Sequence, residues 1–174
     1  MTPPPKVIVI AGVSGSGKTT IGTLLAERLG WDYAEADSFH SEANIAKMRA
    51  GHPLTDADRL PWLRAISAWI AERLATGRPG VVTCSALKRR YRDLLAGGNP
   101  EVAMVLLDGD HDLIEARIKA RKGHYFKASL LDTQFADLEL PSPDEDVLLA
   151  PVNVSPEETV VYILTALSPD AAAR

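Results

Sequence analysis

The sequence of 174 residues has a single cysteine, Cys84, so no intrachain disulfide can form. This is typical of proteins kept in a reducing compartment and favours the cytosol. Long apolar runs are also missing: residues 7–13 are too few to cross a bilayer and lack the flanks of a signal peptide, so we expect no membrane partner. Basic residues are not in excess either, and the net charge of −4 argues against nucleic acid as a partner.

Short apolar runs alternate with segments of helical periodicity. Residues 7–11, 81–84 and 102–107 are continuous apolar runs, typical of strands buried on both faces of a parallel sheet. Shorter strands are predicted at 32–36 and 147–150, with helices between the strands and a last helix at 156–167. This order predicts one α/β domain over residues 1–174, in which helices flank a five-stranded parallel sheet in three layers.

The turn after the first predicted strand carries a nucleotide-binding motif. Residues 12–19 match G-x-x-x-x-G-K-[ST] between a strand and a helix, the context in which backbone N–H groups cradle phosphate. We expect Lys18 to reach the β- and γ-phosphates of ATP and the Thr19 hydroxyl to ligate Mg²⁺. The alternative is a glycine-rich turn that only joins two elements. The expected nucleotide contacts are Gly12, Val13, Ser14, Gly15, Ser16, Gly17, Lys18, Thr19 and Thr20.

A carboxylate follows the second predicted strand. Ligands of open α/β sheets collect at the carboxyl ends of strands, so Asp37 is expected to face the phosphate-binding loop. There it could accept the proton of a substrate hydroxyl or hold a Mg²⁺-bound water. The alternative is a cap on the following helix, for which Ser41 is also a candidate.

From this point the chain resembles the gluconokinase family. The resembling segments are Asp37-Ser38-Phe39-His40-Ser41, Asn44-Ile45, Lys47-Met48, Gly51, Pro53-Leu54, Asp58-Arg59, Pro61-Trp62, Cys84-Ser85-Ala86-Leu87-Lys88, Tyr91-Arg92-Asp93, Arg117 through Lys127, and Gln134-Phe135. One departure is visible, because members often carry Asp-x-Asp where this chain has Glu35-Ala36-Asp37. More weight therefore rests on Asp37 than on Glu35.

The resemblance implies a P-loop NTPase fold, similar to those of shikimate and adenylate kinases, with a small lid at about 117–130. It implies transfer of the ATP γ-phosphoryl group to the 6-hydroxyl of D-gluconate by a cytosolic homodimer that uses Mg²⁺. The acceptor would bind in the regions of about 37–62 and 85–93, and His40 is among the implied contacts.

The basic run Lys88-Arg89-Arg90-Tyr91-Arg92 directly follows the third strand. An anionic substrate that meets a triphosphate needs local cations to offset repulsion. Lys88 and Arg92 are spaced i, i+4 and share a helical face, so we expect them to hold the gluconate carboxylate or hydroxyls. A solvated basic face is the alternative, and it is preferred for Arg89 and Arg90.

Two further residues belong to the expected acceptor region. Arg59 lies just before the expected helix start at Pro61, in a segment that the resemblance places at the wall of the acceptor site. A surface salt bridge to Asp56 or Asp58 is the alternative. Ser85 could hydrogen-bond a magnesium-bound water or cap the next helix.

A second basic cluster coincides with the implied lid. In related kinases such a segment carries arginines that stack on adenine or neutralise charge on the transferred phosphoryl group. The resemblance assigns Arg117 to the nucleotide and Arg121 to catalysis, while a solvated helix face is the alternative. His124 is either a lid contact to phosphate or substrate or an exposed loop histidine.

Three hypotheses about function, from two classes, fit these observations to different degrees. A gluconokinase is the leading hypothesis, and another small metabolite kinase of the shikimate type is the alternative within enzymes. A nucleotide-gated module without transfer belongs to a different class, but it has no evident need for Asp37 or a basic lid.

Overall fold

The computed structural model describes residues 4–120 and 128–167. Within these ranges five parallel strands form one sheet in the order β2-β3-β1-β4-β5. The strands are β1 Val7–Ala11, β2 Asp32–Ala34, β3 Gly80–Thr83, β4 Val102–Asp108 and β5 Leu148–Pro151. The predicted α/β class and its five-stranded parallel sheet are therefore confirmed.

Helices connect the strands on both faces of the sheet. They are α1 Lys18–Leu29, α2 Glu42–Arg49, α3 Asp56–Thr76, α4 Arg89–Ala96, α5 His111–Ala120, α6 Ala128–Asp137 and α7 Pro156–Leu167, with a 3₁₀ turn at Ala36–Phe39. No helix in the described ranges combines the length and apolar character needed to span a membrane.

The central strand β1 divides the core into two apolar layers. Val7 and Val9 pack in the cluster that contains residues of α3 and α4, whereas Ile8 and Ile10 pack with residues of α1 and α7. Successive side chains of a strand point to opposite faces, so one buried strand serves both layers. Because β1 lies between β3 and β4, the turn that follows it opens at the middle of the sheet edge, where α/β folds bind ligands.

Helix α3 begins five residues earlier than the expected start at Pro61. The Thr55 hydroxyl accepts a hydrogen bond from the Asp58 N–H at 3.1 Å, and the Asp58 carboxylate accepts one from the Thr55 N–H at 2.9 Å. This reciprocal capping box satisfies the first backbone donors and fixes the helix start. Pro61 lies inside the helix, so Arg59 is a helical residue rather than a residue that precedes the helix.

Of the other residues considered as helix caps, two are confirmed and two are wrong. Ser41 accepts from the Asn44 N–H at 3.2 Å and Ser155 from the Glu158 N–H at 3.1 Å, so both cap their helices as predicted. Asp37 lies within the 3₁₀ turn and does not cap α2, since Ser41 does. The alternative that Ser85 caps the next helix was also wrong, because α4 begins at Arg89 with Lys88 in the N-cap position.

Candidate active site

The phosphate-binding loop connects β1 to α1 at the centre of the sheet. The backbone of Gly15 has φ +82, and a Cβ added there would lie 2.5 Å from Cγ1 of Ile118 on α5. Only glycine allows this conformation together with such a close approach. The Lys18 ammonium donates to the carbonyl oxygens of Gly12 at 2.9 Å and Val13 at 3.0 Å. The loop therefore folds back over the Lys18 side chain.

One polar atom in the loop indicates that the cradle fits an anion. The Ser16 hydroxyl is buried, with 1% exposure of the residue, and it has no hydrogen-bond partner among the residues that the structure describes. Buried hydroxyls rarely remain unsatisfied. A phosphate oxygen held by the loop would supply an acceptor beside it, as the motif requires.

Thr19, the expected magnesium ligand, is bound to Glu35. The Thr19 hydroxyl donates to Oε1 of Glu35 at 2.6 Å, and the Tyr33 hydroxyl donates to Oε2. Burial, and then the adjacent Glu35 carboxylate, raise the pKa of Tyr33, so this hydroxyl stays a donor. An oxygen pair of this kind suits Mg²⁺ and its waters. Sequence analysis placed less weight on Glu35 than on Asp37, yet Glu35 contacts the motif threonine directly.

A cavity extends from the loop toward the end of β2, and we call it the loop cavity. Asp37 lines it together with Lys18, Thr19 and Glu35. The expectation that Asp37 faces the phosphate-binding loop is therefore met by its position in the structure. Its role in proton transfer stays a prediction.

A second cavity, the α3 cavity, adjoins the loop cavity. Arg59 and Leu54 line it, and five residues line both cavities: His40, Met48, Trp62, Ser85 and Gln134. The two spaces therefore share a wall. A ligand in the α3 cavity would lie next to a group held by the phosphate-binding loop, as direct transfer between two substrates requires.

Arg59 is the cation that the structure brings to the α3 cavity. Its guanidinium contacts Asp137 on α6 at 3.5 Å and the Tyr91 hydroxyl at 3.5 Å, and its side chain is 12% exposed. The planar fork of arginine suits a carboxylate. The alternative of a pair with Asp56 or Asp58 was wrong: Asp56 binds Tyr91, Arg90 and Lys88, and Asp58 binds Lys47.

His40 lies between the two cavities and is held by Trp62. The two rings stack with centroids 4.1 Å apart, and the Trp62 indole donates to the Ala36 carbonyl at 2.9 Å. Burial, and then the charge of Arg59, lower the pKa of His40 to about 4. His40 is therefore neutral near pH 7 and can offer a substrate hydroxyl either a donor or an acceptor nitrogen.

Arg92 was expected to hold the substrate, and the structure corrects this. Its side chain is 1% exposed and forms an ion pair with Glu145, at 2.6 Å between Nε and Oε1. The remaining guanidinium donors bind the carbonyl oxygens of Ala86, Leu87 and Glu139 and the second Glu145 oxygen. Every donor is engaged with protein, so Arg92 ties α4 to the 139–145 segment and has none left for a ligand.

Lys88 also differs from its expected place. Its ammonium lies 3.4 Å from Oδ1 of Asp56 and is not among the groups that line the loop or α3 cavity. The Tyr91 hydroxyl and Arg90 bind the same carboxylate, and these hydrogen bonds hold the pKa of Asp56 well below its usual range. Lys88 and Arg92 thus point to different partners despite their i, i+4 spacing.

A third cavity, the α7 cavity, lies on the other side of the loop. Gly15, Ser16 and Thr20 line it, and Arg117 lines it from α5. The Arg117 guanidinium donates to the Val152 carbonyl at 2.5 Å, which places it beside the loop that follows β5. Thr20 and Arg117 thus line one cavity beside the loop, and their role as nucleotide contacts stays a prediction. Arg121 and His124, the other expected lid residues, lie outside the described residues.

Sequence reasoning missed two features of the site. Gln134 on α6 accepts a hydrogen bond from the Ser14 N–H at 2.6 Å, although it was noted only as part of a resembling segment. Tyr91 joins Arg59 to Asp56, which no spacing along the chain could indicate. Cys84 is buried, and burial raises the pKa of its thiol to about 12, which excludes a thiolate nucleophile near pH 7.

Comparison with known proteins places the chain among phosphotransferases. A family model described as AAA domain matches residues 7–141. Gluconokinase of Gluconobacter oxydans is 47% identical over 83% of this chain and 81% of its own length. Thermoresistant gluconokinase of Escherichia coli is 45% identical over 89% of both chains. A gluconokinase structure from Sinorhizobium meliloti is 43% identical, with a TM-score of 0.84 over 97% of this chain and 95% of that chain.

The fold is shared more widely. Shikimate kinase of Aquifex aeolicus is 18% identical, with a TM-score of 0.63 over 95% of this chain and 98% of that chain. The parallel sheet, the phosphate-binding loop and the adjoining cavities define a P-loop kinase. The identity and coverage of the relatives go further: the chain belongs to the gluconokinase family.

Proposed function

We propose that this enzyme transfers the γ-phosphoryl group of ATP to the 6-hydroxyl of D-gluconate, giving 6-phospho-D-gluconate and ADP. The observation that carries the proposal is the shared wall between the loop cavity and the α3 cavity, formed by His40, Trp62 and Gln134 among others. The family relationship supports gluconate as the acceptor.

The loop residues bind and orient the triphosphate in this proposal. Backbone N–H groups of residues 12–19 and the N-terminus of α1 surround the phosphates. Lys18 exchanges the carbonyl oxygens of Gly12 and Val13 for phosphate oxygens, and so stabilises charge that develops during transfer. Thr20 and Arg117 face the α7 cavity, where the nucleoside binds.

Thr19 and Glu35 would hold the magnesium ion that accompanies ATP. The bound ion would supply positive charge that offsets the charge of the phosphates. Thr19 provides a hydroxyl ligand, and Glu35 orients that hydroxyl and attracts the cation.

The acceptor binds in the α3 cavity, between Arg59 and Asp37. Arg59 holds the carboxylate of gluconate, and neutral His40 contacts a hydroxyl. Asp37 orients the reacting hydroxyl or accepts its proton from the opposite side of the shared wall. Lys88 acts at most from the rim of this site, because Asp56 holds it. Arg121 and His124 stay predicted lid contacts.

The site needs no membrane or nucleic acid, and we propose a cytoplasmic homodimer that acts in gluconate utilisation through the pentose phosphate pathway.

A coupled assay of ADP release with Mg-ATP tests the proposed activity. The acceptors are gluconate, shikimate, glycerate and several sugars, with Lys18→Ala as the inactive control. We expect turnover with gluconate only, and a dehydrogenase specific for 6-phosphogluconate identifies the product. Turnover with shikimate alone would keep the kinase but reject its substrate. ATP binding without turnover on any acceptor would favour a nucleotide-gated module.

A further inference from the structure

A side chain from α6 reaches the phosphate-binding loop across 120 residues of sequence. The Ser14 N–H donates to Oε1 of Gln134 at 2.6 Å. Gln134 also lines both the loop cavity and the α3 cavity. It therefore lies where the phosphate-binding loop meets the acceptor space, on the helix that also carries Asp137, the partner of Arg59.

The position of Ser14 indicates which phosphate its N–H would contact. Ser14 lines the loop cavity, on the side of Asp37, and it is absent from the α7 cavity, which Gly15 and Arg117 line. The phosphate that is transferred has to lie on the acceptor side of the loop. The Ser14 N–H, which points to Gln134, thus lies on the side where we expect the terminal phosphate rather than the nucleoside.

We propose that the Gln134 carboxamide binds the transferred phosphoryl group and is a catalytic residue of this kinase, an inference that rests on the proposed function. In the structure its oxygen accepts from the Ser14 N–H, at the position that a γ-phosphate oxygen would occupy when ATP binds. A phosphate oxygen at that N–H displaces Oε1, and rotation about the last side-chain torsion turns the NH₂ group toward the phosphate. A carboxamide can do this because it carries an acceptor and two donors on one carbon.

The geometry supports this use of the NH₂ group. Within the part of the chain that the structure describes, no hydrogen bond engages Nε2, and the side chain is only partly exposed. The alternative is a simple tether that holds α6 against the loop. A tether would affect all nucleotides alike, whereas a contact to the γ-phosphate distinguishes ATP from ADP.

Titration calorimetry with Mg-ATP and Mg-ADP, without acceptor, distinguishes a contact to the γ-phosphate from a simple tether. Gln134→Glu keeps the shape but places a carboxylate against the γ-phosphate, and we expect ATP affinity to fall about tenfold or more. ADP affinity should change less than about threefold, since ADP lacks that phosphate. Asp132→Asn, at an exposed residue two positions away on α6 that binds His111, is the matched control and should leave both affinities unchanged.

Steady-state kinetics with Gln134→Met complete the test. Methionine has a similar length without hydrogen-bonding groups, and we expect kcat to fall about tenfold while the gluconate KM changes little. Equal losses of ATP and ADP affinity in Gln134→Glu, or no loss of either, would overturn the proposal. Because calorimetry needs no acceptor, its result stands apart from the proposed function, which fails if the unmodified enzyme does not phosphorylate gluconate.

Discussion

Arg92 and Glu145 form an ion pair inside the protein, with side-chain exposures of 1% and 5%. Sequence reasoning had placed Arg92 against the substrate, so the pair changes what a substitution there should do. Losing one partner of a buried pair leaves an uncompensated charge, which costs about 3–5 kcal/mol.

Arg92→Met should therefore lower the free energy of unfolding by about 3–5 kcal/mol, measured by urea denaturation. The gluconate KM of the folded fraction should stay near that of the unmodified enzyme. Arg90→Met is the matched control on the same helix; its side chain is 59% exposed and bound to Asp56, so its effect on the free energy of unfolding should be far smaller. A raised gluconate KM at unchanged stability would restore the substrate role of Arg92.

Arg59→Met should raise the gluconate KM about 10- to 100-fold, because it removes the cation that lines the α3 cavity. The ATP KM should change little, since Arg59 does not line the loop cavity. Asp137→Asn releases one restraint on the guanidinium and should give a smaller rise. Equal effects on both KM values would show that Arg59 does not select the acceptor.

Glu35→Gln should raise the Mg²⁺ concentration for half-maximal rate several-fold, because the amide still accepts from Thr19 but no longer attracts a cation. Tyr33→Phe removes only the second hydrogen bond to Glu35 and should have a weaker effect. The measurement is a magnesium titration at saturating ATP and gluconate. An unchanged magnesium requirement in Glu35→Gln would leave Glu35 with a purely structural role.

His40 should make the protein less stable in mild acid. The unfolded chain binds a proton at His40 near pH 6.5 and the folded protein only near pH 4, so the unfolded state holds more protons between these values. This contribution to the free energy of unfolding is complete above about pH 6.5 and falls as the pH drops toward 4. In His40→Gln this part of the decrease in the free energy of unfolding should be missing. Denaturation of both proteins at pH 7, 5.5 and 4.5 measures the difference. Parallel pH curves for the two proteins would contradict a lowered pKa.

Much of the fold could be predicted because its determinants are local. The apolar runs of β1, β3 and β4 are buried on both faces, which gives each strand a continuous signature. Ser41 and Ser155 cap helices through N–H groups three residues away. The phosphate-binding loop also depends on eight adjacent residues.

The parts that failed depend on partners far along the chain. Arg92 meets Glu145 and Lys88 meets Asp56 across 53 and 32 residues, so the path of the intervening loops decides which basic side chain faces inward. Strand β2 was predicted at 32–36 but ends at Ala34, and this difference also depends on a distant residue. The Ala36 N–H donates to the Thr83 hydroxyl on β3 at 3.1 Å, where the chain turns. Spacing on one helix cannot reveal such contacts.

The close packing of Gly15 on Ile118 has a consequence for any redesign of nucleotide preference. Backbone and side chain meet with no room for a Cβ at position 15. Ile118 is 8% exposed and packs with Val13 of the same loop. Helix α5 thus packs directly against the loop, and its residue Arg117 lines the α7 cavity. Changing the size of residue 118 would shift the phosphate cradle and the nucleoside contact together, so the two cannot be tuned separately through this helix.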